Sequence, residues 1–309
     1  MKHSFRIGTR GSKLALWQAN HVRNLLSASN LELEIEIQII KTTGDAILNS
    51  PLSEIGGKGV FVKEIEEALL SENIDIAVHS MKDVPTVLPA GLIIGAVVER
   101  HDPRDAFISN TGLTLTKLSE GSRVGTGSLR RASQLLHHYP GIKIVSIRGN
   151  VDTRIRKLKE DGEFDAIVLA VAGLERMGLG EEITEIISTD MMLPAPGQGI
   201  VAIECRGDDQ ETANVLRKIN HTETEIAAAS ERAFLYRLGG DCNVPVGCNA
   251  TLSGNMINLS GIISSPDGKV LIKKDASDSI ERAGQLGEQL AEMILEAGGN
   301  RILEQLTSS

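Results

Sequence analysis

The chain has 309 residues, 41% hydrophobic and 24% charged, which is enough for two or three domains with a sizeable core, and no apolar run approaches membrane-spanning length. A net charge of −9 argues against a general nucleic-acid surface and, with an N-terminus that leads into a strand without an apolar signal segment, the expectation is a cytoplasmic protein without membrane or nucleic-acid partners. Three cysteines, Cys205, Cys242 and Cys248, are an odd number with no metal spacing, which argues against a disulfide framework and against any metal site.

Residues 4–9 read as a short strand running into Arg10-Gly11-Ser12-Lys13, followed by a helical pattern on Leu14, Trp17, Val22, Leu25 and Leu26. Leu31 to Ile39 alternates strictly, so it is a strand with one solvated face and not a covered central one. The glycine-rich Ile55-Gly56-Gly57-Lys58-Gly59 precedes a helix predicted over 60–70. A compact strand from Asp75 to Met81 then ends in Lys82-Asp83-Val84-Pro85. Ligands of open α/β sheets sit beyond the carboxyl ends of strands, and Ser80, Lys82 and Asp83 arrive there together. By themselves Lys82 and Asp83 also suit an ordinary surface pair.

Another apolar strand spans 91–99, and the charged run Arg100-His101-Asp102-Pro103-Arg104-Asp105 reads as a crossover to a second α/β unit. Between Arg123 and Lys157 stand eight basic residues against one acid, Asp152. In an acidic protein this bias toward arginine, whose planar fork pairs with carboxylates, suggests a small polyanionic ligand; a solvated basic face is the plainer alternative. Gly125-Thr126-Gly127-Ser128-Leu129-Arg130-Arg131 is a strand, a turn and a helix start, with Ser128 placed as N-cap. The layout recurs one strand later in Ser146-Ile147-Arg148-Gly149-Asn150-Val151-Asp152-Thr153-Arg154. Neither glycine motif has the spacing of a nucleotide fingerprint, which disfavours a nucleotide-dependent transferase.

After Pro194-Ala195-Pro196-Gly197 an apolar strand, 200–204, is placed to return to the first domain. Helices follow over 210–219 and 223–238, then strands over 246–252, 256–263 and 270–274 and a final amphipathic helix over 280–297. Cys242 lies between helix and strand in Leu238-Gly239-Gly240-Asp241-Cys242-Asn243-Val244-Pro245. Glycines that can take φ > 0 and a proline that cannot continue a helix put it on a tight turn. Taken locally, this suits a packed thiol, a partner for Cys248 or a presented nucleophile. The predicted fold is α/β: two α/β domains, 1–99 with 200–218 and 100–199, and a small α+β domain, 219–309, with a three-stranded antiparallel sheet.

Several runs resemble one enzyme family along the whole chain. They are Thr9-Arg10 with Ser12 and Leu14-Ala15-Leu16-Trp17-Gln18, Gly56-Gly57-Lys58-Gly59-Val60-Phe61, His79-Ser80-Met81-Lys82-Asp83-Val84-Pro85, Asp102-Pro103-Arg104-Asp105-Ala106, Ser128-Leu129-Arg130-Arg131, Arg148-Gly149-Asn150, Ala172-Gly173-Leu174, and Glu231-Arg232 before the Cys242 loop. Together they resemble the porphobilinogen deaminases, or hydroxymethylbilane synthases. The resemblance implies a monomeric enzyme of tetrapyrrole biosynthesis that joins four porphobilinogen molecules head to tail with loss of ammonia. It implies two domains like those of periplasmic binding proteins, and a dipyrromethane cofactor held as a thioether on Cys242. Implied cofactor contacts are Lys82, Asp83, Thr126, Ser128, Arg130, Arg131 and Gly149. Arg10, Ser12, Gln18, Arg148, Arg154 and Arg176 are implied for substrate, Asp83 for catalysis, and Lys58 and Phe61 for a covering segment. The chain departs from the family pattern at Asp241, where a small residue is expected; a charge there disfavours the thiolate. A two-lobed carboxylate-binding protein would share the arginines but leave the cysteine loop unexplained.

Overall fold

The computed structural model describes residues 4–29, 33–43, 62–239 and 244–307. In chain order the elements are β1 (Ser4–Thr9), α1 (Lys13–Ser29), β2 (Glu34–Ile39), α2 (Lys63–Leu70), β3 (Ile76–Ser80), β4 (Leu92–Val97), β5 (Asp105–Ser109), β6 (Arg123–Gly125), α3 (Leu129–His138), β7 (Lys143–Val145), α4 (Val151–Glu160), β8 (Ala166–Ala170), α5 (Val171–Arg176) and β9 (Glu185–Ile186). They continue with β10 (Val201–Arg206), α6 (Gln210–Leu216), α7 (Thr222–Arg237), β11 (Val246–Ser253), β12 (Met256–Ser264), β13 (Leu271–Ser279), α8 (Ala283–Ile294) and α9 (Asn300–Thr307). No helix among the described residues is long and apolar enough to cross a membrane.

The chain forms two compact units, Met1–His101 with Ile200–Glu225, and Asp102–Gly199 with Ile226–Ser309. The first is built on a five-stranded sheet of order β2-β1-β3-β10-β4. Strands β2, β1 and β3 are parallel, and β10 runs antiparallel between β3 and β4, so the apolar strand after Gly199 does return to the first sheet. The alternating β2 lies at the edge, where one face meets water. Strand β3 is central and buried along Ile76 to His79, as its unbroken apolar run requires. Phe5, Ile7, Val22, Leu26, Ile76, Val78 and Ile203 form the core under α1.

The second unit repeats the same sheet pattern in the order β7-β6-β8-β5-β9: three parallel strands, with β5 antiparallel between β8 and β9. Its two faces are packed by Ile147, Ile155, Leu158 and Leu169 on one side and Phe107, Leu135, Val168 and Met192 on the other. The same unit contains the antiparallel sheet β11-β12-β13, whose core of Phe234, Cys248, Ile257, Leu259, Leu286 and Leu290 lies against α7 and α8. Gly261 is required there, since a Cβ would stand 2.7 Å from the Phe234 ring. Polar contacts fasten this sheet to its neighbours. The Cys248 N–H donates to the Pro194 carbonyl (2.9 Å), and Ser264 Oγ donates to Ser133 Oγ on α3 (2.6 Å). Glu231, buried in α7, accepts from the N–H groups of Gly197 (2.6 Å) and Ala250 (2.8 Å).

Candidate functional site

In the first unit β1 and β3 are adjacent and parallel, so their carboxyl ends open on the same edge of the sheet. Ser12 caps the helix that follows β1: its Oγ accepts from the Ala15 N–H (3.2 Å), and its carbonyl takes the Leu16 N–H (2.9 Å). Arg10 is half-buried beside it. Gln18 is fully buried and donates through Nε2 to Ser80 Oγ (2.8 Å), so it supports the end of β3 rather than facing outward. Directly after Ser80 the chain makes one 3-10 turn, Met81–Asp83. Met81 and Val84 are buried on either side of it; the Met81 N–H donates to the Ile200 carbonyl (3.0 Å) and the Val84 N–H to the Met81 carbonyl (3.0 Å). This anchoring turns Lys82 partly outward and leaves Asp83 exposed, with no hydrogen bond or ion pair to its carboxylate among the described residues.

In the second unit the same edge is formed by β6, β7 and β8. The Thr126 N–H continues the ladder to the Val145 carbonyl (3.0 Å), and its Oγ1 accepts from the Ser128 N–H (3.2 Å). Ser128 is the N-cap of α3, its Oγ accepting from the Arg131 N–H (3.4 Å). One strand over, Gly149 has φ +115°, and a Cβ would meet Thr153 Cγ2 at 2.6 Å, so glycine alone suits the turn. Its carbonyl accepts from Arg154 Nε (2.7 Å), while Arg148 is half-buried at the same turn. Arg176, at the end of α5, is buried and donates to the Gly199 carbonyl (2.7 Å); burial pulls its pKa down to about 10 against the opposing pull of Glu175.

Arg130 and Arg131 are not on a solvated face. Both are buried, and both bind Asp105, the first residue of β5, which is itself inaccessible. Asp105 Oδ1 accepts from Arg131 Nε (3.0 Å), Arg131 Nη2 (2.8 Å) and Gln198 Nε2 (3.0 Å), and Oδ2 accepts from Arg130 Nη1 (2.7 Å). Burial by itself would raise this carboxyl's pKa; the two guanidinium groups outweigh it and hold the group far below the usual carboxylate range. Among the described residues Asp105 is the one acid in ion-pair contact with either arginine, so two buried cations share one anion. Arg130 Nε is buried with no hydrogen-bond partner among those residues.

The sequence placed Ser80, Lys82 and Asp83 at one strand end, and the structure brings them there with Gln18 behind. It also puts Thr126, Ser128, Arg148 and Gly149 on one edge. Sequence reading missed Asp105 and Gln198 as holders of the arginine pair. The signal for Asp105 was its place in a charged run that reads as a crossover; Gln198, in a glycine-flanked loop, gave none. Cys242, Lys58 and Phe61 lie outside the described residues, as does Asp241. No group of three potential metal ligands occurs among the described residues.

Two family models match the chain: porphobilinogen deaminase, dipyromethane cofactor binding domain, over residues 5–214, and porphobilinogen deaminase, C-terminal domain, over 226–296. A porphobilinogen deaminase of Trichlorobacter lovleyi is 51% identical over 301 residues, covering 97% of this chain and 96% of that protein. One of Geobacter sulfurreducens is 50% identical, covering 97% and 94%. Among solved structures, the methionine-binding protein MetQ is 15% identical with a TM-score of 0.46, covering 74% of this chain and 95% of that one. With both family models matched in order and half of all positions shared with full-length relatives, the chain belongs to the porphobilinogen deaminase family.

Proposed function

We propose that this chain is a hydroxymethylbilane synthase in which Asp83 is the catalytic carboxylate and Cys242 carries a dipyrromethane cofactor through a thioether. The observation that carries the assignment of Asp83 is its setting. Two buried neighbours fix its backbone at a strand end, yet its carboxylate is exposed and uncommitted among the described residues, whereas Asp105 is fully engaged. Porphobilinogen reacts by breaking its aminomethyl C–N bond, releasing ammonia and leaving a cationic azafulvene. The terminal pyrrole α-carbon of the growing chain then forms the new C–C bond and gives up its proton. A carboxylate close to these atoms stabilises the developing positive charge and accepts that proton.

The dipyrromethane cofactor supplies the first such pyrrole carbon and remains as primer. The residues present fit a polycarboxylate of this kind. Among the described residues the Asp105 cluster holds one more cation than anion, and the buried Arg130 Nε has an unused N–H. Arg130 and Arg131 therefore act on acetate and propionate groups by net positive charge as much as by direct donation. Thr126, Ser128, Gly149 and Lys82 complete the proposed cofactor contacts. Arg10, Ser12, Arg148, Arg154 and Arg176 serve incoming substrate, with Gln18 acting through Ser80. Lys58 and Phe61 belong to the covering segment. We further assign a monomer acting in the cytoplasm on a small molecule, without nucleic acid, with domains at 1–99 plus 200–218, 100–199 and 219–309.

Intact mass with peptide mapping tests the cofactor assignment. Two linked pyrrole units on the Cys242 peptide are expected, and Cys242→Ser protein should lack them. Unmodified protein that stays unmodified and releases no ammonia after incubation with porphobilinogen would instead indicate a binding protein. Asp83→Asn should keep the primer and the fold but lose nearly all turnover; near-normal activity would refute its role.

A further inference from the structure

Behind the strand that presents Asp83 lies a group of ionisable side chains that the reaction does not use. His79 on β3 and Glu204 on β10 are buried, and His79 Nε2 meets Glu204 Oε2 at 3.1 Å. The register puts His79 opposite Ala202 and Ala77 opposite Glu204, so the pair ties β3 to β10 diagonally across one sheet face. Helix α2 covers that face with Ile65 and Leu69, and Glu66 from the same helix is buried too. Glu66 Oε1 and Glu204 Oε1 are each sealed from solvent without a hydrogen-bond partner among the described residues. Two unsatisfied carboxylate oxygens in a dry interior are costly as anions, and a proton on one of them relieves both charge and desolvation.

Among the described residues, the charged groups on the packed elements leave little else to compensate. Helix α2 packs on β1, β3, β4 and β10. Strand β4 has no ionisable residue. Arg6 on β1 is committed to Asp75 and the Glu72 carbonyl. Arg206 on β10 is committed to the Leu69 and Ile74 carbonyls and to Asp209, with Asp75 also in reach. The neighbouring thiol Cys205 is pushed up to about 11 by burial and stays neutral. On α2 itself, Glu64 is half-buried and binds Thr43, and Lys63 lies by Glu67 on the exposed side. Among the described residues, the charged groups that act on Glu66 are therefore Glu204 and His79. Burial first, then the Glu204 charge, push its pKa up to about 7 against the opposing effect of His79.

We propose that Glu66 is a positioning residue: held as the neutral acid against the Glu204–His79 pair, it seats α2 on the sheet that presents Asp83, and loss of its proton loosens that seat. The link to Asp83 is short. The β3–β10 ladder that the pair crosslinks runs on through Ser80 opposite Val201 and the Met81 N–H to the Ile200 carbonyl, directly into the turn that carries Asp83. The proposal rests on Asp83 being catalytic.

The test compares the holoenzyme with Glu66→Gln, which keeps the shape and can donate but cannot ionise. Thermal midpoint, kcat and KM are followed from about pH 6 to about pH 8.5. A group with a raised folded-state pKa contributes stability that is fully present below the unfolded carboxylate pKa and is lost as pH rises through the folded value, so the wild-type midpoint should fall as pH rises toward neutrality and level off above it, and the Gln variant should lack this fall. The ratio of variant to wild-type kcat should rise several-fold over the same range, with the KM ratio constant. A Gln variant that follows the wild-type pH dependence would overturn the proposal, and so would one that is folded but inactive throughout. Should the variant not fold, infrared spectra of the wild type decide: a buried carboxylic-acid band near pH 6.5 that disappears by about pH 8.5 supports the proposal, and its absence refutes it. Full activity in Asp83→Asn would remove the catalytic reading alone, since the midpoint and infrared titrations report on the cluster independently.

Discussion

Replacing Asp105 by Asn isolates the energetics of the arginine pair. The carboxylate accepts four side-chain hydrogen bonds, three on Oδ1 and one on Oδ2, and no part of it reaches solvent. An Asn carbonyl oriented toward Arg131 and Gln198 would keep the first three, but its NH2 would then point a donor at Arg130 Nη1. More seriously, two guanidinium groups would remain buried without an anion. Breaking a buried ion pair by removing one partner costs about 3–5 kcal/mol. Arg130 Nη1 also donates to the Leu193 carbonyl, which accepts from Gln134 Nε2 as well, so moving the guanidinium toward water breaks this contact too. With a urea slope of about 2–3 kcal/mol per M, the unfolding midpoint followed by circular dichroism should drop by about 1–2.5 M. The wild-type term has a definite pH window. Because the folded-state pKa is depressed, the stability is fully present above the unfolded carboxylate pKa and is lost as pH falls through the folded value. The gap between wild type and Asp105→Asn should therefore stay constant across neutral pH and narrow only in strong acid. A midpoint shift below about 0.3 M at neutral pH, corresponding to less than about 1 kcal/mol, would refute the reasoning.

Two further outcomes follow from packing. Gly268, in the β12–β13 turn, has φ +72°, and a Cβ there would stand 2.6 Å from the Ser133 carbonyl and 2.7 Å from the His137 nitrogen, both helix backbone of α3. Gly268→Ala should cost about 2–4 kcal/mol in thermal or urea unfolding, against about 1 kcal/mol for Gly254→Ala, which has φ +59° and open space around it. Equal losses would show that the turn is not seated on α3. Cys205 and Cys248 are both fully buried, and burial pushes the Cys205 thiol up to about 11. Alkylation of the native protein should therefore spare both thiols and modify them only after denaturation, which peptide mapping would show.

Much of the framework was legible from residue order. The buried run at 76–79 and the alternating 34–39 stand as central and edge strands, because side-chain period reports how many faces of a strand are covered. The Ser128 cap was readable for a local reason: a hydroxyl just before a helix satisfies an otherwise orphaned N–H. Asp83 too was visible, since strand ends in open sheets expose whatever follows them.

What the residue order could not show were partners supplied from far along the chain. The segment 123–157 looks like eight cations facing one acid, yet Arg130 and Arg131 share Asp105 and Arg123 pairs with Asp165, both acids lying outside the segment. Glu66, His79 and Glu204 are spread over more than 130 residues, and nothing in their local contexts marks them as one group. Most of the elements, their order and the chemistry available at each strand end were readable because periodicity and caps are local properties; β5, β9, α5 and α9 were not. Which charges pair with each other and which remain open was set by the fold, because burial and pairing of charge depend on strand order and register, which bring distant residues together.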